Sequence, residues 1–235
     1  MFHAGKPEAR NSGFTLTELA IVLVIVALLI GGMLVPLSAQ RDLQSSIETQ
    51  KQLSDIKEAL LGFAAAKGRL PCPANPALAS GTVGAGSEYN SNLTGCDTSL
   101  VGALPWATLG LPETDAWGRR LTYRVTASFA KTVSSGNSAF LLSTDGDLSI
   151  LSTSGGNSIA TQIPAIAVSH GKNGFRAYLP SGSRLGASPD IDEEENANGD
   201  TAFVSKTQTP TFDDLVDWLS PSILKNRMIS AGKLP

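Results

Sequence analysis

Residues 19–37 contain no ionisable side chain and read Leu19-Ala20-Ile21-Val22-Leu23-Val24-Ile25-Val26-Ala27-Leu28-Leu29-Ile30 before continuing to Leu37. That is close to the roughly 20 residues a helix needs to cross a ~30 Å hydrocarbon core. A chain with such a run either crosses a membrane or must cover the run with other apolar surface. Glu18 stands directly before it. An ionised carboxylate at the margin of an apolar segment is costly unless it snorkels to the interface or meets a cation. Lys6 and Arg10 precede the run, and positive flanks stay on the cytoplasmic side, so whatever follows faces outward.

The residues around Glu18 suggest a source for the cation. Cleavage after Gly13 would create an amine on Phe14, one helical turn from the carboxylate. The stretch Gly13-Phe14-Thr15-Leu16-Thr17-Glu18, with the apolar run behind it, resembles the type IV pilin and pseudopilin family. The resemblance implies that a prepilin peptidase cuts after Gly13 and methylates Phe14. It also implies that Glu18 serves assembly with other pilin or pseudopilin subunits on an inner-membrane platform. The fold it implies is α+β and pilin-like, with a long N-terminal helix, half transmembrane and half amphipathic, packed on an antiparallel β-sheet head. The expected division is a leader at 1–13, a transmembrane and assembly helix at 14–38, an amphipathic stalk at 39–67 and a globular head at 68–235. An inner-membrane precursor with its head outside the cytoplasm would then enter a periplasmic pseudopilus or an extracellular pilus. The competing reading is an ordinary secretory signal cut after Ala39, although the apolar region is longer than the usual ~7–15 residues and Leu37 is large for its site. That would release a secreted binding protein or adhesin, with calcium as its candidate ligand.

Gly31, Gly32 and Pro36 would permit a kink late in the apolar helix. Beyond Ser38 the chain turns polar, with Leu43, Ile47, Leu53, Ile56, Leu60 and Phe63 at helical spacing, an apolar stripe that needs one covered face. Gly68 and Pro71-Cys72-Pro73 stop the helix, and a Gly, Ser and Asn-rich loop follows over residues 74–102. Cys72 and Cys96 could close a loop of about 25 residues, constraining the unfolded chain by ~3 kcal/mol in an oxidising compartment. Two buried free thiols are the alternative, and the sequence has neither a CxxC nor a His pair for zinc.

With 23 Gly and only 6% aromatic residues, the remainder favours short strands and long loops. Strands are expected over 121–126, 139–143, 148–151, 163–169 and 202–205, arranged as an antiparallel meander. Thr211 with Asp214 reads as a helix cap, and Ser220-Pro221 opens a last short helix. The segments 104–111, Asp115-Ala116-Trp117-Gly118, 169–174 and 212–219 are similar to segments of pilin-like heads.

Three groups of residues bear on chemistry. Ser169 and His170 are adjacent in a strand and so point to opposite faces, and with no G-x-S-x-G elbow present the chain does not read as an enzyme. Asp190, Asp192 and Asp200, with the acids between them, concentrate oxygens suited to Ca²⁺, though without the spacing of an EF-hand. No other cofactor is indicated. Arg119, Arg120 and Arg124, and Lys225, Arg227 and Lys233, lack interleaved aromatics, and the net charge of −3 exerts no general pull on nucleic acid.

Overall fold

A computed structural model describes residues 14–133 and 137–235, and for residues 32–38 the backbone alone. It is a mixed α+β chain that divides into two compact units, Met1–Gln44 and Ser45–Pro235. The expected leader, Gly13 included, lies outside the described residues.

Helix α1, Leu16–Lys67, opens on a reciprocal cap. Thr15 Oγ1 accepts the Glu18 N–H at 3.2 Å, while Glu18 Oε2 accepts the Thr15 N–H at 2.8 Å. This is a capping box, in which each residue's side chain accepts the other's otherwise free N–H. Within the first unit the apolar side chains of α1 stand in the open, from Leu19 through Ile30. The backbone stays helical through Gly31, Gly32 and Pro36.

In the second unit α1 has a covered face. Leu53, Ile56, Leu60, Leu61 and Ala64 are buried, whereas Leu43 and Ile47 of the expected stripe are exposed. The helix ends at Gly68, whose φ of +75° suits a residue without a side chain and whose N–H reaches the Ala64 carbonyl at 2.8 Å. A Cβ there would meet the Asn137 carbonyl oxygen at 2.0 Å.

The strands form two principal sheets. Strands β1 (Ser91–Asn92) and β2 (Gly95–Cys96) make a small hairpin; β3 is Val101–Ala103, and a one-turn helix α2 spans Trp106–Leu109. Next come β4 (Thr122–Val125), β5 (Leu148–Leu151), β6 (Ser158–Ile163) and β7 (Ala165–Ser169). They are followed by α3 (Ile191–Glu195), β8 (Ala202–Val204), β9 (Leu215–Trp218) and α4 (Pro221–Ser230). One sheet is antiparallel in the order β3-β4-β7-β9, and the other runs β6-β5-β8. The meander expectation is corrected here, because β8 lies parallel to β5.

All five residues of β7 are buried. Its alternation explains why: Ala165 and Ala167 face the core that holds Leu53, Ile56 and Leu60 of α1, while Ile166 and Val168 face Leu148, Ile150 and Phe203 of the other sheet. Small residues meet the helix and branched ones meet the second sheet. β9 follows the same rule, with Leu215 toward α1 and Val216 and Trp218 toward the second sheet. The helix expected after Thr211 is therefore a strand, paired to β7 through Ile166 and Trp218. The two-residue alternation demanded by two flanking cores overrides a spacing that also fits a helix turn. The strand expected over 139–143 is absent as well: Phe140 turns inward against Phe129 at 4.5 Å between ring centroids, while Leu141 and Leu142 stay exposed. Pro164 divides the expected strand over 163–169 and passes the chain from one sheet to the other. The final helix α4 does start after Ser220, with Pro221 in its first turn.

Cys72 and Cys96 are joined by a disulfide. Alongside it Arg69 forks onto both oxygens of Glu88 at 2.8 and 2.9 Å, and Glu88 Oε2 also accepts the Cys72 N–H. The bridge and this fork fix a segment that has little core of its own. Reduction is expected to lower the stability of the protein by about 3 kcal/mol, read as a lower urea midpoint. An unchanged midpoint with both thiols alkylated would show that the fork alone holds the loop.

Candidate functional site

The N-terminal site is built on the first turn of α1. Phe14 is 89% exposed. Glu18 Oε2 faces back toward the chain start, accepting the Thr15 hydroxyl as well as its N–H, both at 2.8 Å. The carboxylate therefore sits on the side of the helix from which residue 14 leaves. Among the described residues no helix is long and apolar enough to cross a membrane. The described side chains of the apolar run end at Gly31, short of the ~20 residues a span needs, and those of 32–38 lie outside the described residues.

In the second unit the segment Asp115-Ala116-Trp117-Gly118 is a carboxylate-held turn. Asp115 Oδ1 accepts the N–H groups of Trp117 and Arg119, each at 3.0 Å, and Gly118 takes a φ of +78°. Asp115 Oδ2 accepts the Ser169 hydroxyl at 2.6 Å. Ser169 thus bonds to Asp115, whereas the imidazole of His170 points elsewhere, with Nε2 at 2.9 Å from Thr122 Oγ1. The two side chains do not form a nucleophile and base.

The acidic segment is organised by α3. Its three successive carboxylates at 192–194 leave the helix in three directions. Asp192 accepts the Ser154 N–H and pairs with Lys206. Glu193 turns toward Asn173 and Asp213, and Glu194 accepts a fork from Arg176. Asp190 caps the helix by accepting the Asp192 N–H, and its other oxygen takes the Thr211 hydroxyl. Asp200 folds onto the Ala202 N–H and the Asn198 amide. Asp190, Asp192 and Asp200 are therefore engaged with separate donors. The Arg176 fork, followed by burial acting the other way, holds the Glu194 carboxyl below its usual range.

Among the described residues, the acids that do come together are Glu193, Asp213 and Asp214, with ligand oxygens within 4.8 Å of one another. Burial pushes the Asp213 carboxyl up to about 6, opposed by the Asn173 N–H and reinforced by the charges of Glu193 and Asp214. Asp213 is distant in sequence from the acidic run, and only its neighbour Asp214 marks the pair.

The first basic cluster is drawn into the fold, whereas Arg227 of the second is exposed. Arg119 donates to the Gly171 carbonyl at 2.9 Å and Arg124 to that of Gly199 at 2.6 Å, while Arg120 is 1% exposed. A cleft of about 180 Å³ near Thr122, Tyr178 and Arg184 is smaller than the ~300–1,000 Å³ usual for a small-molecule site.

The prokaryotic N-terminal methylation motif matches residues 9–34. Residues 9–34 carry the prepilin-type signal found in type IV pilins and pseudopilins, and this signal supports a protein of the pilin or pseudopilin kind. The signal favours a structural subunit over an enzyme, implies processing by prepilin peptidase, and fits a membrane-anchored precursor. The match ends within the first part of α1 and does not reach the second unit. No curated protein and no solved structure matches the chain.

Proposed function

We propose that this chain is a structural subunit, a minor pilin or a secretion pseudopilin, of a type IV filament system. Prepilin peptidase cuts after Gly13 and methylates Phe14. An inner-membrane assembly platform then draws the subunit out of the bilayer, where residues 19–37 had held it as a single span with the second unit outside the cytoplasm. In the filament the apolar faces of neighbouring helices cover one another, and Glu18 pairs with the Phe14 amine of an adjacent subunit. The observation that carries this reading is the conjunction of the matched signal with a run of solvent-exposed Leu, Ile and Val side chains on α1. Surface of that kind requires lipid or other helices to cover it.

N-terminal mass spectrometry of the mature protein tests the reading directly. Methylated Phe14 as the first residue is the expected result. A mature chain beginning at Gln40 would replace the filament role with that of a secreted binding protein.

A further inference from the structure

Three segments distant in sequence meet where β7 ends. His170 follows β7, Glu193 comes from α3, and Asp213 and Asp214 precede β9. Glu193 and Asp214 are 2% and 4% exposed. Glu193 is held at both oxygens, and each of the two aspartates at one. Glu193 Oε1 accepts the Asn173 amide and the Asp213 N–H, and its Oε2 accepts the Ser188 hydroxyl. Asp213 Oδ2 accepts the Asn173 N–H, and Asp214 Oδ2 accepts the Asn196 amide. The remaining oxygens differ: Asp213 Oδ1 is buried without a hydrogen-bond partner, and so is the Nδ1 of His170, a residue 1% exposed. His170 Nδ1 stands 3.6 Å from Asp214 Oδ1, beyond hydrogen-bond range. Buried polar atoms in native proteins nearly always have partners, and orphans mark an ion or a function.

We propose that Glu193, Asp213 and Asp214, together with the imidazole Nδ1 of His170, form a binding site for a small divalent cation of the Mn²⁺ class. Three clustered carboxylates supply the charge, and a cation beside Asp213 Oδ1 would satisfy the buried oxygen that has no protein donor. In the tautomer whose Nε2–H donates to the Thr122 hydroxyl, an outer-shell bond of the kind that orients a ligating imidazole, the Nδ1 lone pair is free to bind. Ca²⁺ fits less well, since it takes six to eight oxygens and most oxygens here already hold protein donors. Imidazole with carboxylate is a donor set that Mn²⁺ accepts. Gly171 makes room for the arrangement, because a Cβ on it would lie 2.3 Å from Asp213 Oδ1. The site is independent of the filament role.

The test uses the full chain in detergent micelles, stripped with EDTA and then melted with Mn²⁺, Mg²⁺ or Ca²⁺ at neutral pH. Saturating Mn²⁺ should raise Tm by about 5–10 °C, with one Mn²⁺ bound per chain by electron paramagnetic resonance. Asp213→Asn should remain folded in EDTA, because it loses a charge from a crowded acidic site, and should lose the Mn²⁺ shift. His170→Gln should weaken Mn²⁺ binding more than tenfold and reduce its advantage over Mg²⁺. Absence of any Mn²⁺ shift in the wild type, or an undiminished shift in Asp213→Asn, overturns the site. A larger shift with Ca²⁺ than with Mn²⁺ overturns the nitrogen donor, and loss of the shift in Asp200→Asn in place of Asp213→Asn moves the ion to the exposed acidic loop.

Discussion

Arg120→Ala is expected to destabilise the protein by about 3 kcal/mol, the low end of the range for breaking a buried charge pair because Glu113 is a quarter exposed, and to lower Tm by roughly 10 °C. The guanidinium is 1% exposed and joins three segments. Its Nε and Nη2 reach Glu113 Oε1 at 2.9 and 2.6 Å, and Nη1 reaches the carbonyls of Pro76 and Leu78 at 2.8 and 2.6 Å. Nη2 also donates to the Pro180 carbonyl at 3.2 Å, and the group lies 4.7 Å from the centroid of the Trp106 ring. Truncation to alanine leaves these carbonyls without their donor and removes the packing over the indole. Arg120→Lys should recover little, because an ammonium cannot reproduce the planar fork. Urea denaturation of both variants checks this. A midpoint within error of wild type for Arg120→Ala would mean that water replaces the guanidinium without cost and that the loop is held by the disulfide instead.

The contrast between Arg120 and its neighbours indicates how far the sequence could be read. Three arginines close together carry no label for which one is buried. Arg120 goes inward because its N–H pairs with the Tyr178 carbonyl and its side chain follows β4's approach to the loop at 76–80, a fact of tertiary position. Features coded within a few residues were legible: the stop at Gly68, the strands over 122–125 and 148–151, and the start of α4 at Pro221. The turn at Asp115 was legible as a motif, although its internal bonds were not.

Where a short apolar pattern satisfied two periods, the deciding information lay elsewhere in the chain. Residues 212–219 fit a helix turn as well as a strand, and only β7 with a core on each side selects the strand. β3 is three residues long inside a Gly-rich segment and sends too little signal to notice. The acidic segment shows the same limit at the level of a site. Density of carboxylates was visible, but successive helical positions diverge by ~100°, so adjacent acids separate and Glu193 alone joins Asp213 and Asp214. His170 was set aside as a catalytic base for sound local reasons, and its place beside Asp214 depends on residues far along the chain.

Glu18→Gln should abolish incorporation into filaments while leaving the precursor inserted and cleaved. The substitution is chosen over alanine because Glu18 caps the helix in this structure, a role separate from the pairing proposed for the filament. Its carboxylate accepts the Thr15 N–H and hydroxyl, and Gln fills the third position of a capping box as well as Glu does. Glu18→Gln therefore keeps the helix start and removes only the charge, whereas Glu18→Ala removes both. In the proposed filament, pairing of the carboxylate with a neighbouring Phe14 amine would offset the cost of an ion at the apolar margin. Losing it should reduce recovery in sheared or crosslinked filaments by more than about tenfold, the factor that ~1.4 kcal/mol of docking free energy commands. Insertion should persist because the run beyond residue 18 is unaltered, and cleavage should persist because the scissile bond is untouched. A Gly13 substitution should show the opposite pattern, with the leader retained. Thr15→Ala, which loses the cap from the other side but keeps the charge, should incorporate nearly normally. If Glu18→Gln assembles at the wild-type level while Glu18→Ala and Thr15→Ala both fail, it is the capped helix start and not the Glu18 charge that recruits the subunit.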